Sequence, residues 1–120
     1  GLGMLYSDMG RHADAEPLYR RALKGREAAL GPVHPDTLLS VNSLGALYSD
    51  MGRHADAEPL YRRALEGCEA ALGPAHPTTL ASVNNLGALY SDMGRHADAE
   101  PLSRRALKGR KRRRSARRIR

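Results

Sequence analysis

The segment LYSDMGRHADAEPLYRRAL occupies residues 5–23 and recurs, letter for letter, at 47–65. It returns at 89–107 with one change, Ser103 in place of tyrosine. The offset is 42 residues each time, and between 5–46 and 47–88 only six positions differ: Lys24/Glu66, Arg26/Cys68, Val33/Ala75, Asp36/Thr78, Leu39/Ala81 and Ser43/Asn85. A fixed period of this size constrains the fold more tightly than any composition does. One such unit cannot bury its apolar face alone, so the units stack and each packs on its neighbours. About two and a half to three units fit within the 120 residues, in a single domain.

Each unit reads as two helices. The spacing predicts a first helix from about Asp36 to Met51, ended by Gly52, which can take the left-handed conformation past a helix terminus. A second begins near His54 or Ala55 and runs to about Leu72. Pro59 is expected close to its first turn, where a missing N–H costs little. Gly73-Pro74 stops it, and His76-Pro77-Thr78 opens the next helix as His34-Pro35-Asp36 did before. No segment alternates as a strand does, and the fold class is all-α.

Val41, Leu44, Gly45 and Tyr48 recur at i, i+3, i+4 and i+7, the stripe of a packed helix face, and Leu47 and Met51 widen it. In the second helix Ala57, Leu60, Tyr61, Ala64 and Leu65 form the facing stripe. Small residues at Gly45, Ala57 and Ala64 bring the backbones close, and Tyr61 fills the space beside them. The other side of the first helix carries Leu39, Asn42, Ala46, Ser49 and Asp50, a small and polar stripe suited to an open binding surface.

These residues resemble the tetratricopeptide repeat. Its order of Leu, Gly, Tyr, then Ala, an aromatic and Ala is met by Leu44, Gly45, Tyr48, Ala57, Tyr61 and Ala64. It is met again by Leu86, Gly87, Tyr90, Ala99 and Ala106, with Ser103 departing at the aromatic position. The first unit supplies Gly3, Tyr6, Ala15, Tyr19 and Ala22 and lacks most of its first helix. The usual period is 34. The 42-residue form, with its AEPLYRRAL and LGPxHP segments, is similar to the repeats of kinesin light chain. The resemblance covers about residues 2–110. It implies a solenoid of helical hairpins, a right-handed superhelix with repeat units at about 1–31, 32–73 and 74–107. It also implies a non-enzymatic scaffold that binds peptides or partner proteins in a groove lined by the first helices.

Carried over by position, that groove holds Met4, Ser7 and Asp8; Leu39, Asn42, Ala46, Ser49 and Asp50; and Ala81, Asn84, Ala88, Ser91 and Asp92. Asn42 and Asn84 stand out, because an amide both donates to and accepts from a peptide backbone. Each of them equally suits a brace against a neighbouring helix or a water-facing position. Repeats of this family that clamp a C-terminal carboxylate place Lys and Arg along the stripe. Here it has none, and Asp8, Asp50 and Asp92 give it the opposite sign. The expected ligand is neutral or basic.

The formal charge of +7 belongs to one end. Residues 1–107 hold 11 Lys+Arg and 13 Asp+Glu, whereas 108–120 hold nine Lys+Arg and no acid. That basic tail, expected as a helix extension or a disordered segment, leaves several readings open. It is an anion-binding segment for nucleic acid or lipid phosphates through Lys111, Arg112, Arg113, Arg114, Arg117 and Arg118, or a nuclear localisation signal, or a solvated tail, or the scar of an interrupted array. A further expectation lets the tail occupy the acidic groove. No aromatic residue accompanies the arginines to stack on bases.

Other chemistry finds little footing. His12, His54 and His96 each precede a glutamate by four residues, Glu16, Glu58 and Glu100, which share a helix face. One His and one Glu fall short of the four ligands of a structural zinc site, so no metal and no cofactor is expected. Because Cys68 stands where the preceding unit has Arg26, it is expected to be exposed and unreactive. The glycines come singly rather than as a phosphate loop, and no catalytic grouping is expected. No apolar run approaches the ~20 residues of a membrane span, so a cytoplasmic location is expected, or a nuclear one if the tail is a signal. The chain opens inside a first helix and reads as part of a longer array, or as one that self-associates through Leu5, Tyr6 and Met9.

Overall fold

A computed structural model describes the backbone of residues 11–119 and the side chains of residues 11–109. Five helices follow one another: α1 (His12–Leu30), α2 (Pro35–Asp50), α3 (His54–Leu72), α4 (Pro77–Asp92) and α5 (His96–Ile119). No strand occurs among the described residues. The helices α2 with α3, and α4 with α5, form antiparallel hairpins, and α1 and α3 pack in turn against the first helix of the following hairpin. The backbone helix of α5 continues through the basic stretch to Ile119.

Local chemistry sets the boundaries. Pro35 and Pro77 occupy the start of α2 and α4, where their fixed φ suits the first turn. The histidine before each proline caps the helix: Nδ1 of His34 accepts from the Asp36 N–H, and Nδ1 of His76 from the Thr78 N–H, both at 3.1 Å. An orphan donor of the first turn is thereby satisfied by an imidazole in the place of the usual hydroxyl or carboxylate. At the other end, Gly52 takes φ 75°. Its N–H reaches the Ser49 carbonyl at 3.0 Å while the Arg53 N–H reaches that of Tyr48 at 2.8 Å. Gly94 repeats the arrangement with Ser91, Arg95 and Tyr90. This paired closure satisfies the last carbonyls, and a side chain at the glycine would be strained.

Pro59 falls close to the first turn, as expected, but not among the helix's unpartnered donors. The first α-helical bond of α3 joins the Ala57 N–H to the Arg53 carbonyl, so Pro59 lies beyond the first turn, inside the helix. The helix continues because Pro59 and Ala55, whose carbonyl loses its usual donor, are both exposed to hydrating water.

The core follows the two stripes. Val41, Leu44, Leu47 and Tyr48 of α2 are buried against Ala57, Tyr61, Ala64 and Leu65 of α3 in one cluster, which continues through Val83, Leu86, Leu89 and Tyr90. The close approach at Gly45 is real: a Cβ there would lie 2.9 Å from the Tyr61 ring. Beside Gly87 the corresponding ring is absent, and the nearest foreign atom would be the Cβ of Leu102 at 3.5 Å.

Candidate functional site

The described residues of the stripe read from the sequence belong to α2 and α4. Leu39 is 46% exposed; Asn42, Ala46 and Ser49 are half-buried, and Asp50 is exposed. On α4, Ala81, Asn84, Ala88, Ser91 and Asp92 are all exposed. Met4, Ser7 and Asp8 lie outside the described residues, as do the side chains of Lys111, Arg112, Arg113, Arg114, Arg117 and Arg118.

The two asparagines, equivalent in sequence, differ in place. The Asn42 amide donates to the Ser82 hydroxyl on α4 at 3.0 Å. Its carbonyl oxygen is enclosed without a hydrogen-bond partner. Asn42 therefore braces one unit against the next, and Asn84 alone of the two offers an exposed amide on this surface.

Tyr61 fills the core beside Gly45, as the sequence led one to expect. Burial pushes its phenol up to about 12, and the negative charges of Asp50 and Asp92 add to the effect. The phenol therefore stays protonated in the core. Asp50 and Asp92 are the last residues of α2 and α4 and are both exposed.

A second constellation forms each junction between units. The Tyr48 hydroxyl donates to Glu16 Oε1 at 2.7 Å and accepts from Arg20 Nη2 at 2.6 Å. Arg53 places Nη1 3.3 Å from Glu16 Oε2 and its guanidinium 4.4 Å from the centre of the Tyr48 ring. The hydrogen bond from Tyr48, with the charges of Arg53 and Arg20, holds the Glu16 carboxyl below its ordinary value against the opposing effect of burial. Burial foremost, with the bond to Glu16, raises the Tyr48 phenol. At the next junction Arg95 Nη1 meets Glu58 Oε1 at 2.6 Å, Arg62 donates to the Tyr90 hydroxyl at 2.8 Å, and Arg95 stands 4.3 Å over the Tyr90 ring. Only the recurrence of AEPLYR and LYSDMGR in the sequence hinted at this clamp; nothing in one unit shows that its glutamate meets the next unit's tyrosine and arginine.

Cys68 requires a correction, since it is fully buried rather than exposed. Its sulfur accepts from the Ser82 hydroxyl at 3.9 Å, and burial raises the thiol pKa, which keeps it a poor nucleophile. Arg26 tolerates the equivalent position because its long side chain reaches outward to the Asp36 carbonyl at 2.8 Å, carrying the charge to water past an apolar stem. Among the histidines, His54 is half-buried with Nδ1 enclosed and unpartnered, and His96 is exposed. Among the described residues, no three His, Cys, Asp or Glu converge as metal ligands, and no helix is long and apolar enough to cross a membrane.

Comparison with known proteins agrees with this architecture. The crystal structure of BtubC (BKLC) from P. vanneervenii is similar over 92% of this chain and 44% of that one, at 27% identity and a TM-score of 0.84. A Podosopora anserina protein assigned to kinesin light chain, with nearly identical TPR-like repeats, matches 89% of this chain and 51% of its own at 24% identity and a TM-score of 0.82. A crystal structure of a variant of that protein matches 89% of this chain and 50% of its own, at 24% identity and a TM-score of 0.83. The chain thus spans about half the length of these structures. No curated protein sequence matches it significantly. A tetratricopeptide repeat family model matches residues 1–70 and again 38–112. The chain belongs to the tetratricopeptide repeat family, in a form similar to the repeats of kinesin light chain.

Proposed function

We propose that the chain is a non-enzymatic protein-interaction scaffold that takes a neutral or basic peptide, or such a segment of a partner protein, along the stripe of α2 and α4. Protein–protein interaction is the general property of the fold; the choice of surface and ligand is the proposal. One observation carries it: the stripe is lined by small side chains, half-buried on α2 apart from Leu39 and Asp50 and exposed on α4, is free of any Lys or Arg, and includes Asp50 and Asp92. The apolar patch at Leu39 and Ala46 gives a peptide side chain something to cover, and the carboxylates favour cations nearby.

Titration of labelled basic, neutral and acidic peptides of equal length against residues 1–120 tests the reading. Basic peptides are expected to bind more tightly, with an affinity that falls as salt rises and drops on Asp50→Asn with Asp92→Asn. Tighter binding of the acidic peptide overturns it. Deleting 108–120 separates the alternative: RNA or DNA binding through the tail disappears with that segment, whereas peptide binding at the stripe persists. If the tail occupies the acidic stripe, the deletion instead strengthens basic-peptide binding at low salt.

A further inference from the structure

A crevice of about 380 Å³ opens at the first junction between units, walled by α1 and α3 and floored by α2. Leu23, Leu44 and Tyr48 are buried at its base, and Leu60 is half-buried beside them. Its volume falls in the range of small-molecule sites, which combine apolar walls with a few placed polar groups. It shares no residue with the stripe of α2 and α4 and stands or falls apart from peptide binding there.

The charges around the crevice are not equivalent. Arg53 holds Asp56 at 2.8 Å, and Arg63 holds Glu27 at 2.8 Å. Arg20 is engaged by the Tyr48 hydroxyl at 2.6 Å and by Glu16 at 3.0 Å. Of the charged residues lining the crevice, Lys24 alone makes no hydrogen bond or ion pair with a described residue. Both lining carboxylates are thus already matched by a guanidinium, and one ammonium on a flexible stem is left at the edge of an apolar floor. A cation so placed is complementary to an anion whose remaining body is apolar.

The next junction repeats the framework with one sign reversed. Leu65, Leu86, Tyr90 and Leu102 take the places of Leu23, Leu44, Tyr48 and Leu60, and Glu66 stands where Lys24 did. This exchange is one of only six differences between 5–46 and 47–88.

We propose that the crevice between α1 and α3 binds a small carboxylate with an aliphatic chain, the chain lying on Leu23, Leu44 and Leu60 and the carboxylate meeting the Lys24 ammonium. The second junction repels the same ligand through Glu66.

Carbon–proton NMR of the full chain, titrated with octanoate, tests this. The methyls of Leu23, Leu44 and Leu60 are expected to shift together and saturate at one site. Octan-1-ol, with the same chain and no charge, is expected to bind at least about tenfold more weakly, the worth of a hydrogen bond between charged groups. Lys24→Glu places the second unit's own residue in the first, so the fold is kept, and it is expected to weaken octanoate by a similar factor. Glu66→Lys is expected to add a second site, read in the methyls of Leu65, Leu86 and Leu102. Equal binding of octanoate and octan-1-ol, an affinity unmoved by Lys24→Glu, a Glu66→Lys chain that keeps a single site, or shifts confined to the basic tail would each overturn the proposal.

Discussion

The hairpins α2–α3 and α4–α5 are built from nearly the same residues, yet they do not occupy equivalent surroundings. In the first, Tyr61 lies against Gly45, Cys68 is sealed beneath Ser82, Glu58 is clamped by Arg95, and Leu65 is covered. In the second, Ser103 leaves the space beside Gly87 unfilled, Glu100 turns to its own helix, and Leu107 faces water. The difference at the aromatic position comes from one substitution, and those at the glutamate and the leucine come from having no described neighbour on one side. In a stacked array the environment of a residue is written partly in the next unit, so identical segments carry different energies.

The largest contrast is expected at the aromatic position. Tyr61→Ala empties a buried site and is expected to cost about 3 kcal/mol or more in urea unfolding, whereas Ser103→Ala, on an exposed side chain, stays within about 0.5 kcal/mol. Equal losses in the two variants would erase the distinction between the hairpins.

Next come the glycines. Gly45→Ala drives a methyl into the Tyr61 ring and is expected to destabilise by about 1–3 kcal/mol. Gly87→Ala meets only ordinary contacts and gains up to about 1 kcal/mol from helix propensity. Installing Ser103→Tyr is expected to reverse the sign at Gly87, and a double-mutant cycle reads the coupling directly.

The clamp gives a smaller effect with a signature in pH. Glu16→Gln is expected to cost about 1–2 kcal/mol by weakening charged hydrogen bonds, while Glu100→Gln changes stability by less than about 0.5 kcal/mol. The folded Glu16 carboxyl sits below its ordinary value of 4.5. Its contribution is therefore complete above that value and is lost as the pH falls through the depressed one. Acid titration of thermal stability should show a shallower fall in the Glu16→Gln variant than in the wild type.

The capping histidines supply the smallest effect and the point where the hairpins agree. His34→Ala and His76→Ala are each expected to cost about 0.5–1 kcal/mol, and replacement by Ser or Asp should restore most of it. A difference between the two sites would show that the cap, too, depends on its neighbours.

The sequence made the helices legible because the boundary signals were local: Gly52 in its left-handed turn, His-Pro at each start, and apolar residues in helical register. The exposure of Asn84, Ser91 and Asp92 was legible for the same reason, since helical periodicity turns them away from the buried Val83, Leu86 and Tyr90. What stayed hidden depended on the adjoining unit. Asn42 differs from Asn84 because Ser82 stands beside it, and Cys68 looked exposed only because Arg26 escapes outward from the same place. Pro59 was legible as lying close to the first turn, but its tolerance rests on facing water within the helix rather than on an unpartnered N–H.

The clamp between Glu16, Tyr48 and Arg53 bears on how a chain of this kind changes length. Every unit carries the glutamate on one side and the tyrosine and arginine on the other, so a whole 42-residue block can be duplicated or lost without creating a junction of new chemistry. Insertions of any other size would put the halves out of step. The array is thus free to vary in the number of its units and rigid in their size, which gives recombination between near-identical blocks a folded product.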